Sequence, residues 1–401
     1  IMKRGSGILM GISSLPGRFG IGTLGGGARE FVDRLQASGQ TYWQILPISP
    51  TGFGDSPYQA FSAFAGNPYF IDFNDLYQQG LLPREALDLC DRLFMGDPCA
   101  VDYYAQFDGK CRVLHLAYEH SADGLADEIA SFRRRHADWI DDYALYMALK
   151  SVQGMKSFHE WPREIMERRP DALEAAARSL KKEIHYHIFV QYLFFRQWEA
   201  LHRYANEKGI HIIGDMPIYM APDSADAWTE RDLLDPQGRV AGCPPDYFSE
   251  TGQLWGNPLY DWDALRKTGY AWWVRRIAQQ MSLCDHLRVD HFRAFESYYA
   301  IPAGAKTAVM GEWLPGPGIE FFRKLKDTLG DLALIAEDLG YLTPGVFELL
   351  HATGFPGLKV LQFAFAPDGS SSYLPHRYEK NCLVYTGTHD NDTTVGWYRE
   401  L

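Results

Sequence analysis

Seven short apolar runs, each closing abruptly on polar or charged residues, predict an α/β chain built as a (β/α)8 TIM barrel. A long helix-patterned stretch between the second and third runs predicts an inserted, mainly helical subdomain. The runs are Gly7 to Ile12, Tyr42 to Ile48, His211 to Ile218, His286 to Phe292, Leu332 to Asp338, Leu358 to Phe365 and Leu383 to Asp390. Continuous apolar stretches of this length suit strands buried on both faces of a parallel sheet. Helix-like segments such as Ala28 to Ser38, Ala271 to Ser282 and Ile319 to Leu329 separate most of them, giving strand–helix units.

The insertion is read over residues 82–209, leaving 1–81 and 210–401 for the barrel. Within it Leu89 to Phe94, Val113 to His120, Tyr143 to Leu149 and Ile184 to Leu201 carry apolar residues at helical spacing. The seventh run lies close to Leu401, so no residues remain for an eighth strand and its helix. An open barrel edge would expose unpaired strand groups. The parent protein is therefore expected to continue past Leu401.

Composition narrows the function. The formal net charge is −12, and no basic run is long enough to override it, so nucleic-acid and anionic-membrane partners are not expected. The most basic stretch, Phe132-Arg133-Arg134-Arg135-His136, reads as a solvated helix face. Six scattered cysteines without a CxxC argue against a zinc site or a disulfide scaffold and suit a reducing cytoplasm. No apolar run reaches membrane-spanning length. Gly25-Gly26-Gly27 lacks the G-x-G-x-x-G spacing and the P-loop lysine, so no nucleotide cofactor is expected, and no metal. It reads instead as a loop entering a helix at Ala28. The aromatic content of 14% is high and fits sugar stacking, although aromatics also fill cores.

In a (β/α)8 barrel the active site is built at the C-terminal ends of the strands. Here four of those ends carry carboxylates: Asp215, Asp290, Glu337-Asp338 and Asp390-Asn391-Asp392. Arg288 and Asp290, two apart on a strand, point to one face. A guanidinium beside Asp290 favours its ionised form, as a nucleophile requires, or else marks a structural ion pair. Glu337 emerges from the apolar run Leu332 to Ala336, where desolvation would raise its pKa toward that of a general acid. Asp338 points away and reads as a structural partner. Asp390 is either a third site carboxylate or a turn cap over Asn391 to Thr393. Two carboxylates about 5–5.5 Å apart are the equipment of retaining glycoside chemistry.

Arg288-Val289-Asp290-His291-Phe292-Arg293, Ala336-Glu337-Asp338-Leu339-Gly340 and Gly387 to Thr393 together resemble the amylomaltase, or disproportionating-enzyme, family of 4-α-glucanotransferases, glycoside hydrolase family 77. Gly11 to Pro16, Tyr42 to Pro47, Asp55-Ser56-Pro57-Tyr58, Gly214 to Tyr219 and Gly242 through Pro258 are similar to it as well. The resemblance implies Asp290 as nucleophile, Glu337 as acid/base and Asp390 as transition-state stabiliser, acting on α-1,4-glucans and maltooligosaccharides without a cofactor. It further implies sugar contacts, or orientation of the catalytic carboxylates, by Arg288, His389, Asp215, Ser56, Tyr58, Asp246, Tyr247, Phe248, Trp255 and Asn257. Residues Pro244 to Phe248 resemble a mobile loop over the acceptor side. Two rival readings are an amylase-type α-glucan hydrolase and a non-catalytic glycan-binding barrel. The oligomeric state is not legible in the sequence.

Overall fold

The computed structural model describes residues 2–246, 249–365 and 369–400. Eleven strands are present among them. They are β1 (Gly7–Leu9), β2 (Tyr42–Gln44), β3 (His211–Met216), β4 (Val240–Cys243), β5 (Gln253–Pro258), β6 (His286–Val289), β7 (Ser297–Ile301), β8 (Glu312–Pro315), β9 (Leu334–Ala336), β10 (Gly357–Val360) and β11 (Cys382–Tyr385). Each of the seven apolar runs holds one strand: β1, β2, β3, β6, β9, β10 and β11. The strands are shorter than the runs; after β10, for example, the chain passes into a 3-10 turn at Leu361–Ala364.

The chain divides into two compact units. One comprises Gly5–Ile212 and Tyr219–Leu234; the other comprises Ile1–Arg4, Ile213–Ile218 and Asp235–Leu401. In the first unit β1 and β2 pair in parallel, with Ile8 opposite Trp43. The helix Gly26–Ala37 lies between them in sequence and begins two residues before the expected Ala28. Every element from Arg84 to Glu207 is helical. The longest, Lys181–Glu207, has 27 residues and buries an aromatic stripe that includes Phe189, Phe194 and Trp198.

That helix organises its surroundings through two buried amides. Gln191 Oε1 accepts from Gly66 N–H at 2.7 Å while its Nε2 donates to Gly66 O at 2.9 Å. Gln197 makes the same two-way bond with Asp72, at 2.8 and 2.9 Å. An unpaired buried amide is costly, so each glutamine fixes one loop against the helix. Only glycine fits at residue 66, since a Cβ there would meet the Phe194 ring at 1.9 Å. A buried ion pair does comparable work nearby. Lys150, with no side-chain exposure, donates to Asp223 Oδ2 at 2.7 Å, and Asp223 Oδ1 accepts from Tyr146 Oη at 2.7 Å and Phe158 N–H at 3.1 Å.

In the second unit β3, β6 and β9 run parallel in that order, and β10 pairs in parallel with β11. A four-stranded antiparallel sheet, ordered β5-β4-β7-β8, was not foreseen. Its strands read Val-Ala-Gly-Cys and Gln-Leu-Trp-Gly-Asn-Pro, for example, with glycine and proline breaking any alternation, and β4 carries a register shift between Val240 and Gly242. The helices Ala271–Ser282 and Gly318–Leu329 pack through Trp273, Phe321 and Phe322 around Phe295, with Phe295 and Phe321 stacked at 5.1 Å. Arg276 is buried over Trp272 and Trp273 and donates to the carbonyls of Pro217 and Ile218, which anchors the chain leaving β3. Among the described residues no helix is long and apolar enough to cross a membrane.

Removing one partner of a buried ion pair leaves a charge without compensation and costs about 3–5 kcal/mol. Asp223→Ala is therefore expected to lower the thermal unfolding midpoint clearly, and Asp223→Asn, which keeps hydrogen-bonding capacity, to lower it less. Circular dichroism melts of both variants check this; equal, unshifted midpoints would contradict it.

Candidate active site

Strand register places the charged residues. Asp215 on β3 is directly opposite Arg288 on β6, and Val289 is opposite Ala336 on β9. Arg288 is thus flanked by Asp215 across the sheet and by Asp290 two residues along its own chain, on the same face. Its guanidinium, 4% exposed, splits its fork between them: Nη1 to Asp215 Oδ1 at 2.7 Å and Nη2 to Asp290 Oδ1 at 2.9 Å. The planar fork of arginine suits such a two-carboxylate bridge.

Asp290 and Glu337 are the residues that follow the paired Val289 and Ala336, so they leave two neighbouring strands side by side. Adjacent strands lie about 4.8 Å apart. Asp290 N–H donates to Met216 O at 3.0 Å and Glu337 N–H to Val289 O at 3.1 Å, which continues the ladder past the strand ends. The Glu337 carboxyl is buried and accepts two backbone bonds, from His291 N–H at 2.7 Å and Leu339 N–H at 3.0 Å.

Both carboxyls lie above the ordinary carboxylate range. Burial, then the charge of Asp290, push Glu337 up to about 8, against the pull of Arg288 and the two N–H bonds. Burial pushes Asp290 up to about 6, with Arg288 opposing and Asp215 adding to the rise. The expectation that Arg288 would hold Asp290 below its usual range is corrected here. The guanidinium is shared with a second carboxylate, and desolvation outweighs what remains. The pair titrates in two steps, Asp290 releasing its proton first.

Asp338 points away, accepts Leu358 N–H at 2.6 Å and leaves room at residue 357 only for glycine. Asp390 follows β11 in a turn whose capping bonds belong to its neighbours. Asn391 Oδ1 accepts from Thr388 N–H at 2.9 Å, and Asp392 Oδ1 accepts from Thr393 N–H at 2.6 Å. The Asp390 carboxylate remains 72% exposed, 3.3 Å from His389 Nε2, and its charge adds to the upward push on Asp290.

Trp255 and Asn257 sit on β5; Asn257 is buried, and Trp255 meets the His291 ring edge-on at 4.8 Å. Asp246 is exposed and accepts Ser249 N–H at 2.8 Å. Tyr247 and Phe248 lie outside the described residues. Ser56 and Tyr58 belong to the first unit, where Ser56 Oγ accepts from Tyr58 N–H at 3.3 Å. Sequence reasoning missed the backbone donors at His291 and Leu339, since a main-chain N–H leaves no mark in residue identity. Among the described residues no group of three or more His, Cys, Asp or Glu is arranged to hold a metal ion.

Comparison with known proteins completes the picture. The family model described as 4-alpha-glucanotransferase matches residues 10–401. The chain belongs to the 4-α-glucanotransferase family. It is 50% identical to a 4-alpha-glucanotransferase of Clostridium butyricum, over 97% of this chain and 81% of that protein. A Thermus thermophilus 4-alpha-glucanotransferase is 47% identical, over 99% and 80%. An amylomaltase from Streptococcus agalactiae, solved in complex with acarbose, superposes with a TM-score of 0.96 at 43% identity, covering 100% of this chain and 82% of that one. A Corynebacterium glutamicum amylomaltase at 21% identity shares the fold, with a TM-score of 0.79. The chain is a 4-α-glucanotransferase with an α/β fold of the amylomaltase kind.

Arg288→Ala is expected to lower kcat/KM roughly 100- to 1,000-fold. It should also move the acidic limb of the pH profile upward, because Asp290 loses the cation that favours its ionised form. Arg288→Lys, a point charge without the fork, should recover only part of the loss. An acidic limb that moved downward in Arg288→Ala would contradict this electrostatic account.

Proposed function

We propose that this 4-α-glucanotransferase is a retaining enzyme in which Asp290 is the nucleophile, Glu337 the acid/base and Asp390 the stabiliser of the developing charge. The observation that carries the reading is the asymmetry of two neighbouring carboxyls: Glu337 holds its proton to about 8, whereas Asp290 has released its own by about 6. Between those values one is an acid and the other a nucleophile.

Asp290 Oδ attacks the anomeric carbon of an α-1,4-glucan while Glu337 gives its proton to the departing 4-oxygen. That donor fragment leaves as a free alcohol, and the remaining glucosyl group is held as an ester on Asp290. Glu337, now ionised, takes the proton from the 4-hydroxyl of a second glucan, whose oxygen displaces Asp290 and restores the α-linkage. Arg288 disperses the charge that returns to Asp290, and Asp390 opposes the positive charge at the anomeric centre. His389, Asp215, Trp255, Asn257, Ser56 and Tyr58 are assigned to sugar binding, and maltooligosaccharides are the substrates. Acarbose, bound by the Streptococcus agalactiae relative, is expected to compete for the same site.

Transfer prevails over hydrolysis where water is kept out and the acceptor hydroxyl is well oriented. We assign that task to the loop between β4 and β5, with Asp246, Tyr247 and Phe248. For the architecture, we propose a (β/α)8 barrel formed by residues 1–81 and 210–401, with 82–209 as a mainly helical insertion. The free cysteines support a cytoplasmic setting.

The pH profile of disproportionation should be bell-shaped, falling as pH drops through the Asp290 value near 6 and as it rises through the Glu337 value near 8. Glu337→Gln should fail on maltotriose yet still release a burst of fluoride from α-glucosyl fluoride, whose leaving group needs no proton, with later turnover slowed by the missing base. Equal losses on both donors would count against Glu337 as the acid. Replacing Tyr247 and Phe248 with alanine should raise glucose release relative to formation of longer oligomers from maltotriose; an unchanged ratio would remove the loop from the account.

A further inference from the structure

The turn after Asp290 grips Glu337 and the segment beyond it at three points. His291 has φ 50° and ψ 48°, the left-handed region that side-chain-bearing residues seldom enter. In that conformation its N–H points at Glu337 Oε2, 2.7 Å away. The next N–H, of Phe292, donates to Glu337 O at 3.0 Å. Arg293 then donates through Nη1 to Tyr341 O at 2.8 Å, its guanidinium lying 3.8 Å above the Trp313 ring.

The His291 side chain has a different part. Burial, with Arg293 beside it, holds its imidazole down to about 3, so it is neutral and takes no proton in the working range. Its ring stands edge-on to Trp255 of β5, at 4.8 Å and 83°. Strained backbone conformations persist where surrounding packing over-determines them.

We propose that His291 is a positioning residue for the glucanotransferase reaction, its left-handed backbone aiming an N–H at Glu337 Oε2 and its ring, braced by Trp255, holding that backbone in place. The proposal rests on the reading of Glu337 as acid/base. The bond fixes which way the carboxyl faces, and it favours the ionised form that must accept a proton from the incoming 4-hydroxyl. Without it Glu337 would hold its proton more tightly and act as a weaker acid toward the departing 4-oxygen in the first half of the reaction.

The test separates backbone from ring. His291→Gly removes the ring but enters the left-handed region freely, whereas His291→Ala removes the ring and disfavours that region. On maltotriose, His291→Gly is expected to keep kcat within about fivefold of the parent, and His291→Ala to fall a further 5- to 30-fold, roughly the cost of the left-handed conformation expressed as a rate. KM should differ little between the two, and the alkaline limb of kcat/KM should move upward in His291→Ala. Equal kcat in the two variants, a loss confined to KM, or an unmoved alkaline limb would overturn the proposal. Should His291→Ala not fold, His291→Asn against His291→Ser gives the same comparison, since asparagine tolerates the left-handed region and serine does not. A Glu337→Gln variant assayed on α-glucosyl fluoride distinguishes the two readings. If it keeps the alkaline limb, the acid/base assignment fails; if it loses the limb while His291→Ala leaves it unmoved, the positioning role alone fails.

Discussion

A single buried guanidinium sets the terms for the whole site. Arg288 sits almost without solvent between Asp215 and Asp290, so one positive charge serves two carboxylates. A buried charge is tolerated only when paired and hydrogen-bonded, and two anions sharing one cation are under-neutralised. Burial lifts Asp290 above its usual range, and Arg288, shared with Asp215, does not offset it. A nucleophile held strongly by its own cation would be ionised but sluggish; one held loosely is ionised at neutral pH and more ready to form a bond. The fold places the arginine through strand register alone, Asp215 opposite Arg288, with the departure from β3 secured by Arg276 on the carbonyls of Pro217 and Ile218.

The same sheet also delivers the second carboxyl in a contrasting environment. Glu337 leaves β9 beside Asp290 leaving β6, buried and held by two backbone N–H groups, with no bonded cation among the described residues. Two carboxyls one strand apart cannot both ionise cheaply, and the less well compensated keeps its proton. The proposed division of labour between acid and nucleophile thus follows from which neighbour each side chain meets. Asp390, the proposed third carboxylate, is instead largely exposed, on a turn whose capping bonds its neighbours Asn391 and Asp392 supply.

Much of this was legible in the chain itself. The seven apolar runs each hold a strand, and β2 and β9 are buried throughout, the case in which an unbroken apolar stretch is expected. Helices from Arg84 to Glu207 were equally visible in their spacing. The antiparallel sheet around β4 and β5 was not, since glycine, proline and a register shift erase alternation there. Within the site, spacing put Arg288 and Asp290 on one face. It could not disclose how strongly burial would desolvate Asp290, nor that Asp215 would share the same guanidinium, and so the direction of the Asp290 shift was read wrongly. Residue identity likewise carried no trace of the left-handed turn at His291, because a conformation imposed by packing is written in no single side chain.

The central claim is that Asp290 carries the glucosyl group while Glu337 moves the proton. The most direct measurement combines a Glu337→Gln background with an α-glucosyl fluoride lacking its 4-hydroxyl, a donor that needs no acid and cannot serve as acceptor. Peptide mapping by mass spectrometry should then find one added deoxyglucosyl mass, on the peptide that contains Asp290. An adduct on another carboxylate, or fluoride release with no covalent species at any time point, would contradict the account.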